Sequence, residues 1–324
     1  MCTVYNEASS IGGLLDSLAR QTRLPDEVVI VDGGSTDGTL ETLQARAMSG
    51  ALHMVVLSRP GLNISEGRNA AIAAASGEII AVTDAGVRLE PAWLEHLVAP
   101  FAQDPAPDVV SGFFLPDPRS TFERALGAIT LPRMQEIDLA SFHPSSRSVA
   151  FRRSAWEQVG GYPEWLDYCE DLVFDFALRD AGLRFAFAPA ALVHFRPRTS
   201  LRAFYRQYYR YARGDGKANL FAVRHLVRYA TYLLAAPLLL GLALGHSPWW
   251  WLAVAAGVAA LLRTPISRLA PWLRGAPLGE RVALLAWAPV IRVTGDVAKM
   301  LGYPVGVVWR GQHAPAEPWA RRAW

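Results

Sequence analysis

The chain has 324 residues, 52% of them hydrophobic, with a formal net charge of +3. That length holds one large domain or two modest ones, and the apolar share exceeds what a soluble fold alone uses, so a membrane segment is expected. Two cysteines, Cys2 and Cys169, exclude a disulfide scaffold and suit a reducing compartment.

The start, "MCTVYNEASS", has neither a basic n-region nor an apolar h-region, so catalytic chemistry is expected on the cytosolic side. A short first strand, "CTV", runs into "YNE" (5–7). Further short apolar, β-branched or aromatic runs follow: "VVIVD" (28–32), "EIIAVTD" (78–84), "DVVSGFF" (108–114) and "RFAFAP" (184–189). Between them lie helical patterns such as "SSIGGLLDSLARQ", with serine at the N-cap, and "EGRNAAIAAAS". Apolar strands alternating with helices predict an α/β fold whose mostly parallel sheet is covered on both faces. Ligands in such sheets gather at the carboxyl ends of the strands, where Glu7, Asp32 and Asp84 all fall.

The pattern changes near residue 226. "YATYLLAAPLLLGLALG" (229–245) and "SPWWWLAVAAGVAALL" (247–262) contain no Asp, Glu, Lys or Arg. As helices they reach about 25 Å, the lower limit for a hydrocarbon core of roughly 30 Å. A buried hairpin in a soluble domain is the competing reading. The flanks favour the membrane: Arg202, Arg206, Arg210, Arg213, Lys217, Arg224 and Arg228 precede the first span, and Arg263, Arg268, Arg274 and Arg281 follow the second. Two spans put both clusters on one side, as the positive-inside rule requires. The basic pI is thereby assigned to lipid headgroups, and no motif speaks for nucleic acid. A third apolar stretch carries Arg292, Asp296 and Lys299 on one helical face, which predicts an interfacial helix over about 282–309. The domains expected are 1–225, catalytic, and 226–324, a membrane region with its hairpin at about 229–262.

The ordered set "YNEASSIGGLLDSL", "VIVDGGSTDGT", "GRNAAIAAASGEIIAVTDAG", "VAFRRSAWEQVGGYPE" and "EDLVFDFALRDAGLRFAFAPAALVHF" resembles the inverting family 2 glycosyltransferases of the GT-A fold. The resemblance covers roughly residues 1 to 215. It implies a nucleotide-sugar donor, a lipid-linked or glycan acceptor, and attachment to the cell membrane. Acids at the positions of Glu7 and Asp32 hold the nucleoside in that family, although "GGSTDG" also reads as a turn capping the next helix. Arg68 lies in the family's donor-side segment and either counters phosphate charge or pins a helix start by a salt bridge.

The family's metal motif is Asp-x-Asp, whose divalent ion, Mg²⁺ or Mn²⁺, acts on the leaving diphosphate. Here it reads Asp84-Ala85-Gly86, with one acid retained and the other absent. His194 matches a histidine that completes the metal shell in many relatives. The ion is held by Asp84, His194, phosphates and water, or cations such as Arg68 replace it. The resemblance places the general base on Asp171, with Glu170 orienting it or touching the acceptor. Acids in a first helical turn also favour the helix dipole without any catalysis. "RQYYRYARGDG" resembles the Gln-x-x-Arg-Trp element of membrane polysaccharide synthases, which makes Gln207 and Arg210 candidates for the acceptor, with a headgroup-binding helix as the alternative.

Other classes fit less well. No G-x-G-x-x-G follows a first strand, which argues against a dinucleotide oxidoreductase. A catalytically inactive GT-A module serving as a membrane scaffold remains the alternative, motivated by Gly86.

Overall fold

The computed structural model describes residues 1–138 and 142–313. The end of the expected membrane region, 314–324, lies outside them. In chain order the elements begin β1 (Cys2–Val4), α1 (Ile11–Ala19), β2 (Val28–Asp32), α2 (Thr39–Met48), β3 (Met54–Ser58), α3 (Ile64–Ala74), β4 (Ile79–Val82) and β5 (Val87–Leu89). Next come α4 (Trp93–Val98), β6 (Val109–Pro116), α5 (Thr121–Thr130), β7 (Val149–Arg152), α6 (Arg153–Val159), α7 (Glu170–Asp180) and β8 (Phe185–Phe195). Among the described residues five helices follow: α8 (Leu201–Lys217), α9 (Ala222–Tyr229), α10 (Ala236–Gly245), α11 (Trp250–Leu273) and α12 (Leu278–His313).

Contacts gather the chain into two units, one of Met1–Asp117 with Met134–Arg196, the other of Pro118–Arg133 with Pro197–Trp324. A division at residue 225 was expected. The observed grouping carries α5 and α8 to the C-terminal helices, because α8 interlocks with α12.

The first unit contains two sheets. In β1-β2-β3 all pairs are parallel, and β2 is buried along its whole length, as a continuous apolar run between two neighbours must be. The second sheet has the order β4-β7-β6-β8-β5 and is mixed: only β6–β8 is parallel. The sheet is therefore mixed rather than mostly parallel. Strand direction leaves no trace in apolar periodicity, since a doubly covered strand reads alike either way. The core beneath β4, β6 and β7 centres on Phe151, Phe174 and Tyr162, whose rings stack or meet edge to face. Truncating Phe151 to alanine there would cost about 3–5 kcal/mol.

In the second unit α5 buries Ala125, Leu126 and Ile129 against Phe204, Leu269, Leu284 and Ile291. Helices α8 and α12 cross at backbone distance through Gly216, Gly302 and Gly306. A Cβ on Gly302 would strike the carbonyl of Tyr209, and one on Gly306 the carbonyl of Arg213. A π-helical stretch, Ala230–Ala235, joins α9 and α10 into one helix, Ala222–Gly245. It and α11 each have 24 residues, and 6% and 11% of their most apolar windows are buried. A core helix of a soluble domain would be mostly covered. Each is long and apolar enough to cross a membrane, at about 36 Å of helix. Trp249, Trp250 and Trp251 stand exposed at the turn between them, where aromatic side chains suit a headgroup layer.

Helix α12 differs from the interfacial helix expected over 282–309. It is continuous from Leu278 to His313, and its polar face points inward. Asp296 is buried, accepts hydrogen bonds from Arg228 Nε (2.8 Å) and Tyr232 Oη (2.9 Å), and pairs with Arg292 (2.8 Å). Val282, Leu285, Val293 and Leu301 are exposed instead. One-sided polar spacing records that a face is polar, and a neighbouring helix supplying counter-charge can bury it.

Candidate active site

The first two strands end in a turn cluster. Asn6, in a left-handed conformation, accepts from Thr36 N (2.9 Å), and its own amide donates to Ser35 Oγ (2.8 Å). Asp32 is fully buried and accepts the amides of Gly34 (3.0 Å) and Ser35 (3.1 Å). Glu7 N donates to Thr39 Oγ1 (2.9 Å), while its carboxylate accepts from Ser10 Oγ. The turn reading of "DGGSTDG" is thus realised, with Asp32 bracing the turn from below. Tyr5, which the sequence reading did not single out, stands 64% exposed beside Gly33.

Helix α3 organises the rest. A capping box starts it: Asn63 accepts from Ser65 N and Glu66 N, and Glu66 accepts from Asn63 N at 2.7 Å. Arg68 and Asn69 are thereby aimed in fixed directions. Asn69 donates to Tyr162 O (2.9 Å) and accepts from Tyr162 N (2.9 Å), and Ser65 Oγ donates to Leu166 O (2.9 Å). These bonds hold the segment that leads into α7.

Arg68 is 3% exposed. Its Nη1 donates to Glu170, its Nη2 donates to Asp84 Oδ1 at 3.3 Å, and its guanidinium lies 5.2 Å from the Tyr162 ring centre. One buried cation thus ties the retained acid of the metal motif to the first acid of the base motif. Arg68 forms salt bridges to both Glu170 and Asp84. Burial works against its charge, and Glu170, Tyr162 and Asp84 outweigh burial and raise its pKa. Burial pushes Glu170 up to about 7, with Arg68 opposing and Asp171 reinforcing the rise.

Cys169 caps α7 in a left-handed conformation, so Glu170 turns inward while Asp171 is half-buried at the helix start. Asp171 Oδ1 accepts from Leu172 N at 2.9 Å. Glu170 is buried and paired with Arg68. One turn on, Asp175 is 3% exposed, and its Oδ2 finds no hydrogen-bond partner. Burial first, then the Asp171 charge, raises its pKa well above the ordinary value. Asp175 escaped the sequence reading, since an acid one turn into an amphipathic helix reads as solvated.

The residues fit a divalent ion only in part. Asp84 is 37% exposed and can offer one carboxylate, but its Oδ1 meets Arg68 and its Oδ2 lies 4.0 Å from Arg147 Nε. His194 is engaged elsewhere: Nε2 lies 2.5 Å from Glu90 Oε1, since the β5–β8 ladder sets Arg88 opposite His194. Among the described residues no three His, Cys, Asp or Glu side chains form a metal-binding group. An ion here would take a single carboxylate from the protein and complete its shell with phosphate and water oxygens. Gln207 and Arg210 lie on α8 in the second unit, where Gln207 Nε2 donates to Tyr211 Oη at 2.7 Å.

The two-sheet α/β unit, with carboxylates at its strand ends and paired acids opening a helix, has the GT-A fold. Residues 2–160 match the family described as glycosyl transferase family 2. The matched segment belongs to that family. It is 29% identical over 297 residues to the pre-mycofactocin glycosyltransferase of Mycobacterium tuberculosis, covering 86% of this chain and 56% of the relative. The chain thus spans little more than half of that protein's length. It is also 29% identical over 261 residues to the succinoglycan biosynthesis protein ExoA of Rhizobium meliloti, covering 75% of this chain and 77% of the relative. The mannosyltransferase PcManGT from Pyrobaculum calidifontis, solved with GDP-Man and Mn²⁺, superposes with a TM-score of 0.55 at 21% identity, covering 96% of this chain and 85% of that one. That likeness concerns the fold.

Proposed function

We propose that this chain transfers a hexosyl or related sugar from a nucleotide-diphosphate donor to a lipid-linked or cell-envelope glycan acceptor, with inversion. The observation that carries the reading is the Glu170–Arg68–Asp84 chain of ion pairs, which links the acids of two separate motifs and leaves Asp171 half-buried beside them. The acceptor hydroxyl attacks the anomeric carbon, the bond from that carbon to the diphosphate breaks, and Asp171 takes the hydroxyl proton. A single displacement needs one carboxylate for that task. Asp84 and the turn from Asp32 to Thr39 lie at the donor, Glu7 and Asp32 serve the nucleoside, and the exposed Tyr5 ring offers a face to the base. A divalent ion, when bound at Asp84, neutralises charge on the leaving diphosphate. Gln207 and Arg210 are assigned to the acceptor. The two 24-residue helices anchor the chain in the cell membrane, with the basic flanks and the catalytic unit on the cytoplasmic side.

Exchanging Asp171→Asn tests the base. Transfer from a nucleotide sugar should fall by about a thousandfold, while affinity for the free nucleoside diphosphate changes little. Unimpaired turnover would sink the assignment. Gly86 supports a second reading, a scaffold that binds without transfer, and absence of turnover by the unaltered chain with every nucleotide sugar would favour it.

A further inference from the structure

Strands β4 and β7 pair antiparallel, Ile79 with Arg152 through Val82 with Val149. Continued past Thr83 and Ser148, that register sets Arg147 opposite Asp84. The side chains follow it: Arg147 Nε stands 4.0 Å from Asp84 Oδ2, and Thr83 Oγ1 donates to Arg147 O at 3.0 Å, tying the two strand extensions together. The Arg147 guanidinium lies 4.5 Å from the ring centre of Phe195 and 5.6 Å from that of Phe114, and Nη1 donates to Ser145 Oγ at 3.1 Å. Two aromatic faces and a hydroxyl therefore hold the group, while 23% of its side chain stays accessible.

The same acid's other neighbour is unlike it. Arg68 is nearly inaccessible and its charge is committed to Glu170, so its reach toward a ligand is small. Gly86, where a second acid would stand, offers no side chain, and nothing lies within 4 Å of the place a Cβ would occupy. Two carboxylates with a divalent ion sum to zero charge, and so do one carboxylate and one guanidinium. A planar guanidinium also matches phosphate oxygens in pairs, which an isolated carboxylate cannot do.

We propose that Arg147 is a donor-diphosphate contact, supplying at this site the positive charge that a two-acid motif recruits as a metal ion. The proposal rests on the nucleotide-sugar reading above. Arg147 holds the phosphates from the Asp84 side, and the negative charge that builds on the leaving diphosphate is met by a side chain.

Calorimetric titration of the full chain in detergent tests this, with UDP, UMP, GDP and GMP, each in EDTA and in Mn²⁺. For the base that binds, the unaltered protein should prefer the diphosphate over the monophosphate in EDTA. Exchange of Arg147→Gln should reduce that preference about tenfold, as expected for losing a charge-assisted contact, with monophosphate affinity and Tm retained. Arg147→Lys, which keeps the charge without the fork, should retain part of the preference and guards against a glutamine variant that fails to fold. An undiminished preference in Arg147→Gln would overturn the proposal, as would a preference in the unaltered protein that vanishes with EDTA. Failure of every nucleotide to bind the unaltered protein would overturn the nucleotide-sugar reading itself, and this proposal with it.

Discussion

Each unit buries a chain of charges, and the two chains are built for different ends. In the first, Glu170, Arg68 and Asp84 run from the core to the ends of β4 and α7, and the last member is 37% exposed. In the second, His225 lies 3.1 Å from both Asp215 and Arg228, Arg228 reaches Asp296, and Arg292 and Tyr232 close the far side. That network sits along helices, with Asp296 at 4% exposure and His225 at 3%. An ionic chain with an open end can exchange a partner for a ligand. The second ends on a cation, Arg292, 41% exposed, while its shared acid Asp296 stays buried among protein donors, so it fixes helices in register, here α9 against α12.

Removing one acid from each chain should expose the contrast. Asp296→Ala leaves Arg228, 15% exposed, and the more exposed Arg292 without their shared buried acid, and should cost about 3 kcal/mol. Asp84→Ala should cost about 1 kcal/mol or less, because the group is partly exposed and screened, and should instead weaken diphosphate binding. Thermal unfolding in detergent measures both, and a reversed order would break the distinction.

A smaller effect should appear in the pH dependence of stability. Glu170 holds its proton to about 7 in the folded chain, against an ordinary 4.5. Between those values the folded state binds more protons than the unfolded one. This contribution is therefore fully present below pH 4.5 and is lost as pH rises through 7. Stability profiles of the unaltered chain and Glu170→Gln should diverge over that window, the variant being flatter. Parallel profiles would show that Glu170 keeps an ordinary pKa.

The smallest effect belongs to Asp175. Burial and the Asp171 charge favour its neutral form, which is close in shape and charge to asparagine. Asp175→Asn should change stability at pH 7 by less than about 0.5 kcal/mol. A large loss would mean that the acid is ionised in the folded chain.

Much of this protein is legible in its sequence. Apolar runs mark β1 and β2 at their observed bounds, β4 and β6 nearly so, and the first half of β8; β2, buried along its whole length, is apolar up to its last residue. Charge-free stretches mark both long exposed helices, each long and apolar enough to cross a membrane. The ordered motifs marked Asp32, Asp84, Glu170 and Asp171, each at an element end where short-range chemistry dictates the residue. Partnership across sequence was invisible. Periodicity says which face of an element is covered and is silent about what covers it. Tertiary structure alone decided that β7 runs antiparallel to β4 and so sets Arg147 opposite Asp84, and that His194 meets Glu90. It also decided that three glycines bring α8 and α12 into backbone contact and that the polar face of α12 turns inward around Asp296. Each of these depends on which distant segment arrives, and arrival is settled by packing and charge balance over the whole chain.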